Sequence, residues 1–205
     1  VNDKCPDVAG SKSYNGCPIP DSDKDGINDE DDKCKDVPGY GRYEGCPAPD
    51  ADGDGVNDDS DKCPTVAGTA EDGGCPAVKK EIIEKVNYSA RRIQFQFSKA
   101  DLLPASNKLL DEVVKILKDN PELKLSIEGH TSNVSGTQEQ NLLLSIKRAE
   151  TVKKYLISKG IDATRLSAAG FGSERPLNES KTEAEKALNR RVELRPSYDN
   201  SAKPF

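Results

Sequence analysis

The 205-residue sequence contains no methionine, no tryptophan and a single histidine, and only 5% of its residues are aromatic. No stretch approaches the roughly 20 consecutive apolar residues that a membrane-spanning helix requires, and the mean hydropathy is −0.75. A helical membrane span is thereby excluded. The start at Val1 shows neither a basic n-region nor an apolar h-region, so the chain is expected to be an excised fragment whose targeting signal lies upstream or was removed. Contact with a membrane would then come only through that upstream region.

What is present is unevenly distributed. Residues 1–76 carry 19 acidic and 7 basic side chains, whereas residues 77–205 carry 17 acidic and 23 basic ones. Such a break in charge predicts two regions with different partners. The expected organisation is a repeat region over 1–76, a linker over 77–90, an α/β domain over 91–196 and a C-terminal tail over 197–205.

All six cysteines lie in the acidic region, and they repeat: Cys5, Cys34 and Cys63 are 29 residues apart, as are Cys17, Cys46 and Cys75. A fixed period of this length marks a modular array. The region has too few apolar residues for a core, so it needs covalent or metal staples. The repeat favours local disulfides, Cys5 with Cys17, Cys34 with Cys46 and Cys63 with Cys75, each contributing roughly 3 kcal/mol by restricting the unfolded chain. Zinc would want closely paired cysteines or histidines, and the only histidine, His130, is far away. Disulfides imply an oxidising compartment.

Between the cysteine units run two aspartate-rich loops. Asp21, Asp23, Asp25, Asp29 and Asp32 stand at positions 1, 3, 5, 9 and 12 of the first, and Asp50, Asp52, Asp54, Asp58 and Asp61 at the same positions of the second; Gly26 and Gly55 take position 6. Calcium takes about six to eight oxygens in a flexible cage and uses a glycine for the sharp turn. Ile27 and Val56 would add backbone carbonyls at position 7. The rival reading is a solvated acidic linker, but crowded carboxylates repel one another without a cation. Prolines and cysteines border the loops in place of helices, so these are not EF-hands. The pattern Asp-x-Asp-x-Asp-Gly-x-x-Asp-x-x-Asp-x-Cys at 21–34 and 50–63 resembles thrombospondin type 3 repeats, which implies a calcium-stiffened structural spacer.

From residue 77 the composition is that of an ordinary globular domain. Val78–Val86 reads as a short helix, and Ile93, Phe95 and Phe97 alternate with glutamines as in a half-buried strand. Pro104 suits the first position of a helix that runs to Asn120. Leu123, Leu125 and Ile127 alternate as a second strand, a second helix covers about Asn141 to Lys159 with Gly160 closing it, and residues 166–170 and 192–194 supply two more strands. Thr182 and Glu185 form a capping box for a short helix between them. The order βαβαβ(α)β predicts an α/β fold, a mixed sheet covered by helices.

One residue of the second helix is out of place. At 100° per residue Asn141, Leu144, Ser145, Arg148, Val152, Tyr155 and Leu156 share the face that should pack, which puts a guanidinium among apolar neighbours. Burial of an arginine is unfavourable unless an anion pairs with it, and its planar fork grips a carboxylate with two bonds. Two partners are open at this point: an acidic side chain of the same chain, or the carboxylate of a ligand, with Asn141, Ser145 and the loop Gly129-His130-Thr131-Ser132 helping to hold it.

The segments Ile127-Glu-Gly-His-Thr131, Asn141-x-x-Leu-Ser-x-x-Arg148-Ala149, Gly170-Phe-Gly172 and Asn189-Arg-Arg-Val-Glu193 resemble the OmpA-like (Pal-type) peptidoglycan-anchoring domain. The resemblance implies an OmpA-like fold over residues 91–196 and non-covalent binding of the diaminopimelate of the peptidoglycan stem peptide. Arg148 would take the ligand carboxylate, Thr131 and Ser132 would face it with backbone N–H groups, and Asn141 and Arg190 would line the pocket. Two positions depart from the family pattern, Ser132 and Ser98, where aspartates are usual, and the loop Asn133–Gly136 is one residue longer.

The implied function is anchoring of the Gram-negative outer membrane to the wall from its periplasmic side, on a spacer stiffened by Ca2+. The alternative is a calcium-dependent structural or protein-interaction module whose OmpA-like domain has weakened wall binding. No carboxylate pair or catalytic metal site suggests an enzyme, and His130 has no orienting acid at a recognisable spacing for a nucleophilic triad. The basic charge of the second region is scattered and lacks interleaved aromatics, against nucleic-acid binding. Monomer and homodimer both stay open.

Overall fold

Residues 4–133 and 136–198 are described in the computed structural model of the chain, which divides into two units, Val1–Gly74 and Cys75–Phe205. The expected tail over 197–205 and the long loop over 133–136 lie largely or partly outside the described residues.

In the first unit the buried side chains among the described residues are a carboxylate and a cysteine, Asp32 and Cys63, and no aliphatic residue joins them. Order comes instead from a backbone pattern repeated with the sequence. Short 3-10 turns recur at Lys12–Tyr14, Gly41–Tyr43 and Ala70–Asp72, each ending on a residue in the left-handed region, Asn15, Glu44 and Gly73. One backbone hydrogen bond recurs with them: Lys4, Lys33 and Lys62 donate to the carbonyls of Asn15, Glu44 and Gly73 at 2.8, 2.8 and 3.0 Å. Disulfides join Cys5 to Cys17 and Cys34 to Cys46, with Cα–Cα distances of 4.9 Å in both; Cys63 and Cys75 are also disulfide-bonded. A chain this polar is thus held by staples and turns rather than by apolar burial.

The second unit contains α1 (Lys80–Ala90), α2 (Pro104–Asp119), β1 (Lys124–Gly129), α3 (Gln138–Ser158), β2 (Leu166–Gly170), α4 (Glu183–Asn189) and β3 (Val192–Ser197). The sheet is mixed, in the order β2-β1-β3, with β1 parallel to β2 and antiparallel to β3. Ile127 sits across from Ala168 on one side and Leu194 on the other. Pro196 is tolerated because β3 is an edge strand, where a missing N–H breaks no inner ladder. Helical spacing places Leu110, Val113, Val114 and Leu117 of α2 in the core with Leu125, Ile127, Val152 and Leu156. The carbonyls at the end of α2 are capped by a cation: Arg165 donates to Leu117 and Asn120, both at 2.8 Å, which suits the negative end of a helix.

The α/β mixed-sheet class therefore holds, but three elements differ from expectation. Ile93–Phe97 is not a strand of the sheet. It folds back on its own return arm, with Leu103 N–H donating to Gln94 and Gln96 N–H to Asp101, and among the described residues it contributes only the isolated bridge Phe95–Leu102. Ser98, in the left-handed region at φ 56°, makes the turn. Alternation marked the buried Ile93 and the half-buried Phe95 but not Phe97, which is exposed, and it carried no information about the pairing partner. The short helix expected over Val78–Val86 within the linker is α1, which starts at Lys80 and runs on to Ala90, and its Val86 and Ala90 are part of the core. α3 begins at Gln138, before Asn141, because Thr137 and Gln140 cap it reciprocally.

Candidate functional site

Of the α3 stripe read from the sequence, Asn141, Ser145, Arg148, Val152 and Leu156 are buried, joined by Ala149; Leu144 and Tyr155 are half-buried, while Lys147 and Lys154 are exposed. Arg148 is 6% exposed. Its Nε donates to the Lys99 carbonyl at 3.1 Å, and its guanidinium lies 5.1 Å from the centre of the Phe95 ring. Among the described residues no carboxylate pairs with it. Burial, and then the positive charge of Arg190, pull its pKa below the ordinary guanidinium value. A guanidinium is too basic to lose its proton in response, so the unpaired charge persists.

Beside Arg148 is a cavity of about 480 Å³. Thr131, Ser132, Asn141, Arg148 and Arg190, which are separated by up to 59 positions in the sequence, all line it. β1 delivers Thr131 and Ser132 from its end, α3 supplies Asn141 and Arg148, and Arg190 follows α4. Not every expected contact is available. The Thr131 N–H is already bonded to the Gly172 carbonyl at 2.8 Å, leaving its buried Oγ1 without a partner. Ser145 is not in the wall: its hydroxyl donates to Leu142 and accepts from Gly172 N–H, which ties α3 to the turn after β2. Arg190 is held by Glu183 at 2.7 Å.

Sequence reasoning missed other parts of the wall. Phe95 and Phe97 come from the folded-back hairpin, beside Ser98, which the sequence already marked as a departure from the family pattern, and Glu183 and Lys186 come from α4. Phe97 is 94% exposed. Its place at the rim follows from the hairpin rather than from any local pattern. The capping box announced α4 but not the cavity that α4 faces.

The aspartate loops gather carboxylates as their spacing suggests. Carboxylate oxygens of Asp21, Asp23 and Asp25 lie within 4.8 Å of one another, as do those of Asp50, Asp52 and Asp54. Asp21 accepts from Lys24 and Gly26 N–H and Asp50 from Gly53 and Gly55 N–H, so position 1 shapes the turn. Position 5 reaches into the next unit, Asp25 accepting from Gly39 and Asp54 from Gly68. One oxygen each of Asp23, Asp32, Asp52 and Asp61 is buried with no hydrogen-bond partner. Loss of solvent raises the pKa of Asp23 and Asp52; the N–H groups of Asp25 and Asp54 act the other way, and neighbouring carboxylates add to the rise. Asp29 and Asp58 are engaged with Ser22 and Ala51 at 2.8 Å, and the N–H groups of Ile27 and Val56 donate to Asp25 and Asp54. Buried, partnerless carboxylate oxygens are what a hard cation would satisfy.

A further buried cluster surrounds His130, which is 1% exposed and stacks on Phe171 with ring centres 5.5 Å apart. Nε2 is 3.9 Å from both Glu128 and Glu193, too far for a hydrogen bond. Glu128, on β1, is two residues before the histidine, a spacing that puts both on one face of an extended chain, whereas Glu193 comes from β3 and only pairing of the strands brings it near.

Residues 94–190 match the OmpA family. The peptidoglycan-associated lipoprotein of Pseudomonas aeruginosa is 37% identical over 101 residues, which cover 49% of this chain and 59% of that protein. Outer membrane protein A of Bordetella avium is 39% identical over 100 residues, 49% of this chain and 51% of that one. The chain thus spans about half the length of the curated relatives it matches. The crystal structure of the peptidoglycan-associated lipoprotein from Burkholderia pseudomallei is 33% identical and covers 51% of this chain and 87% of that one, with a TM-score of 0.48.

Proposed function

Taking as premise that residues 94–190 form an OmpA-like domain of the Pal type, we propose that the protein holds peptidoglycan non-covalently through the cavity beside Arg148, on a spacer stapled by disulfides and Ca2+. The location is periplasmic and associated with the outer membrane, in keeping with those relatives. The likeness to a non-catalytic family supports a non-enzymatic role.

The observation that carries the reading is a buried guanidinium with no acidic partner among the described residues and a cavity at its side. Such a charge is stabilised by a ligand carboxylate held with two parallel bonds. Thr131, Ser132 and Asn141 would position the remainder of the stem peptide, and Arg190 would stay fixed by Glu183. The Asp21–Asp32 and Asp50–Asp61 loops would hold calcium through the orphaned oxygens of Asp23, Asp32, Asp52 and Asp61. The ion supplies the positive charge that lets those carboxylates stay ionised and close together.

Purified sacculi should pull the protein down, and Arg148→Ala should weaken retention about thirtyfold or more, the consequence of losing roughly 2 kcal/mol or more at a desolvated charge pair. Equal retention of the two forms, both folded by circular dichroism, discards the pocket. The second reading, a calcium-dependent interaction module with weakened wall binding, draws on Ser98 and Ser132, which give the cavity no carboxylate. It is favoured if sacculi retain neither form and a protein partner binds only with calcium.

A further inference from the structure

The charges around the cavity bear on which chemical form of a stem residue can enter it. Four charged side chains line it: Arg148, Lys186 and Arg190 are cations, and Glu183 is the one carboxylate among the described lining residues. Glu183 is already engaged, 2.7 Å from Arg190 and 3.8 Å from Lys186. What remains free to act on a ligand is the guanidinium of Arg148, whose Nε is bonded to a backbone carbonyl and whose charge meets no acid among the described residues. Ser132, 5% exposed, and Ser98 stand in the same wall and offer neutral groups only.

These partners treat the two ends of an amino acid differently. A carboxylate finds a buried cation. An ammonium on the same carbon finds no carboxylate to accept its charge-assisted bonds and instead meets like charge in a partly desolvated site, which is strongly unfavourable. Acylation removes that penalty: an amide N–H is uncharged, and a serine hydroxyl satisfies it well.

We propose that the pocket selects a stem residue with a free carboxylate and an acylated amine, the state such a residue has where two stem peptides are joined, over the same residue with a free ammonium. The inference rests on the wall-binding reading above and names the ligand state of that same site.

Calorimetric titration of the full chain with diaminopimelate and with its mono-N-acetyl derivative tests the selection directly and needs no variant. The acetylated probe should bind at least about tenfold more tightly. Ser132→Asp, which adds a carboxylate, should reverse the order of the two probes, and Arg148→Ala should abolish binding of both. Equal or tighter binding of the free-amine probe, with sacculi still retained through Arg148, overturns the selection and leaves the anchoring reading standing. If neither probe binds while sacculi are retained by the wild type and by Arg148→Ala alike, the pocket assignment and the selection both fall. If neither probe binds and sacculi are not retained, the anchoring reading itself is overturned, and the selection with it.

Discussion

Among the described residues of the second unit, Arg148 and His130 are the two buried side chains that carry a positive charge or can take one up. Arg148 was conspicuous because its position on α3 contradicts the helix's own apolar stripe, and a contradiction of that kind is visible at 3.6 residues per turn. His130 gives no such contradiction, because Glu128 beside it on β1 is an ordinary strand neighbour and Glu193 is brought near only by the pairing of β3 with β1. Burial, followed by the charge of Arg191, pushes its pKa down from 6.5 to about 4. Between those values the unfolded chain binds a proton that the folded chain does not, so stability rises with pH across the window. The contribution is fully present above about 6.5 and is lost as pH falls toward about 4, on the order of 3 kcal/mol. Glu193 acts in the same direction at lower pH: burial raises its pKa, but the hydrogen bond and charge of Arg191 outweigh this and the net shift is downward. Urea denaturation at pH 7.5 and pH 5 should show the loss in the wild type and a flatter profile in His130→Gln. Identical pH dependence would mean that His130 is not the titrating group.

At the scale of elements, helices were legible and pairing was not. Pro104 starts α2 as its fixed φ predicts, Gly160 follows α3 at φ 90°, and the Thr182–Glu185 box opens α4. The equivalent box at Thr137 and Gln140 was in the sequence but preceded the apolar periodicity, so the first turn of α3 was missed. Ile93–Phe97 shows the limit of alternation: it reports one buried face, and the partner that completes the backbone bonds is a matter of tertiary context. The approach of α3 to the sheet depends on two glycines. A Cβ at Gly129 would overlap the Ser145 carbonyl oxygen, and one at Gly170 would overlap the backbone nitrogen of Ile146. Overpacking against backbone has no flexible side chain to yield, and typically costs roughly 1–3 kcal/mol. Gly170→Ala should therefore lower the midpoint of urea unfolding and also weaken sacculus retention, because α3 carries Arg148 and Asn141. Unchanged values for both would show that helix and sheet can separate without cost.

In the whole molecule, two units are stabilised by different physics. The second has a continuous apolar core from α1 to β3; the first has turns, disulfides and carboxylates with orphaned oxygens. Chelation and reduction should therefore be felt unequally. Limited proteolysis in chelator and reductant should cleave within residues 4–74 and spare the second unit, whereas calcium at about a hundred times its dissociation constant should protect each loop by roughly 2.7 kcal/mol. Asp32→Ala and Asp61→Ala together should remove that protection, and an unaltered digestion pattern with and without calcium would end the cation assignment. Whatever repeats or alternates locally is legible in the amino-acid order: the 29-residue cysteine ladder, the aspartate spacing, the helical stripe that exposes Arg148 as an anomaly, and the α/β class. Tertiary structure alone decided whether that guanidinium meets an internal acid, which hairpin and which helix close the cavity around it, and where Ile93–Phe97 finds its bonds. Local periodicity follows from backbone geometry within a few residues, whereas the partners of a buried charge come from segments far apart in the chain, and only packing brings them together.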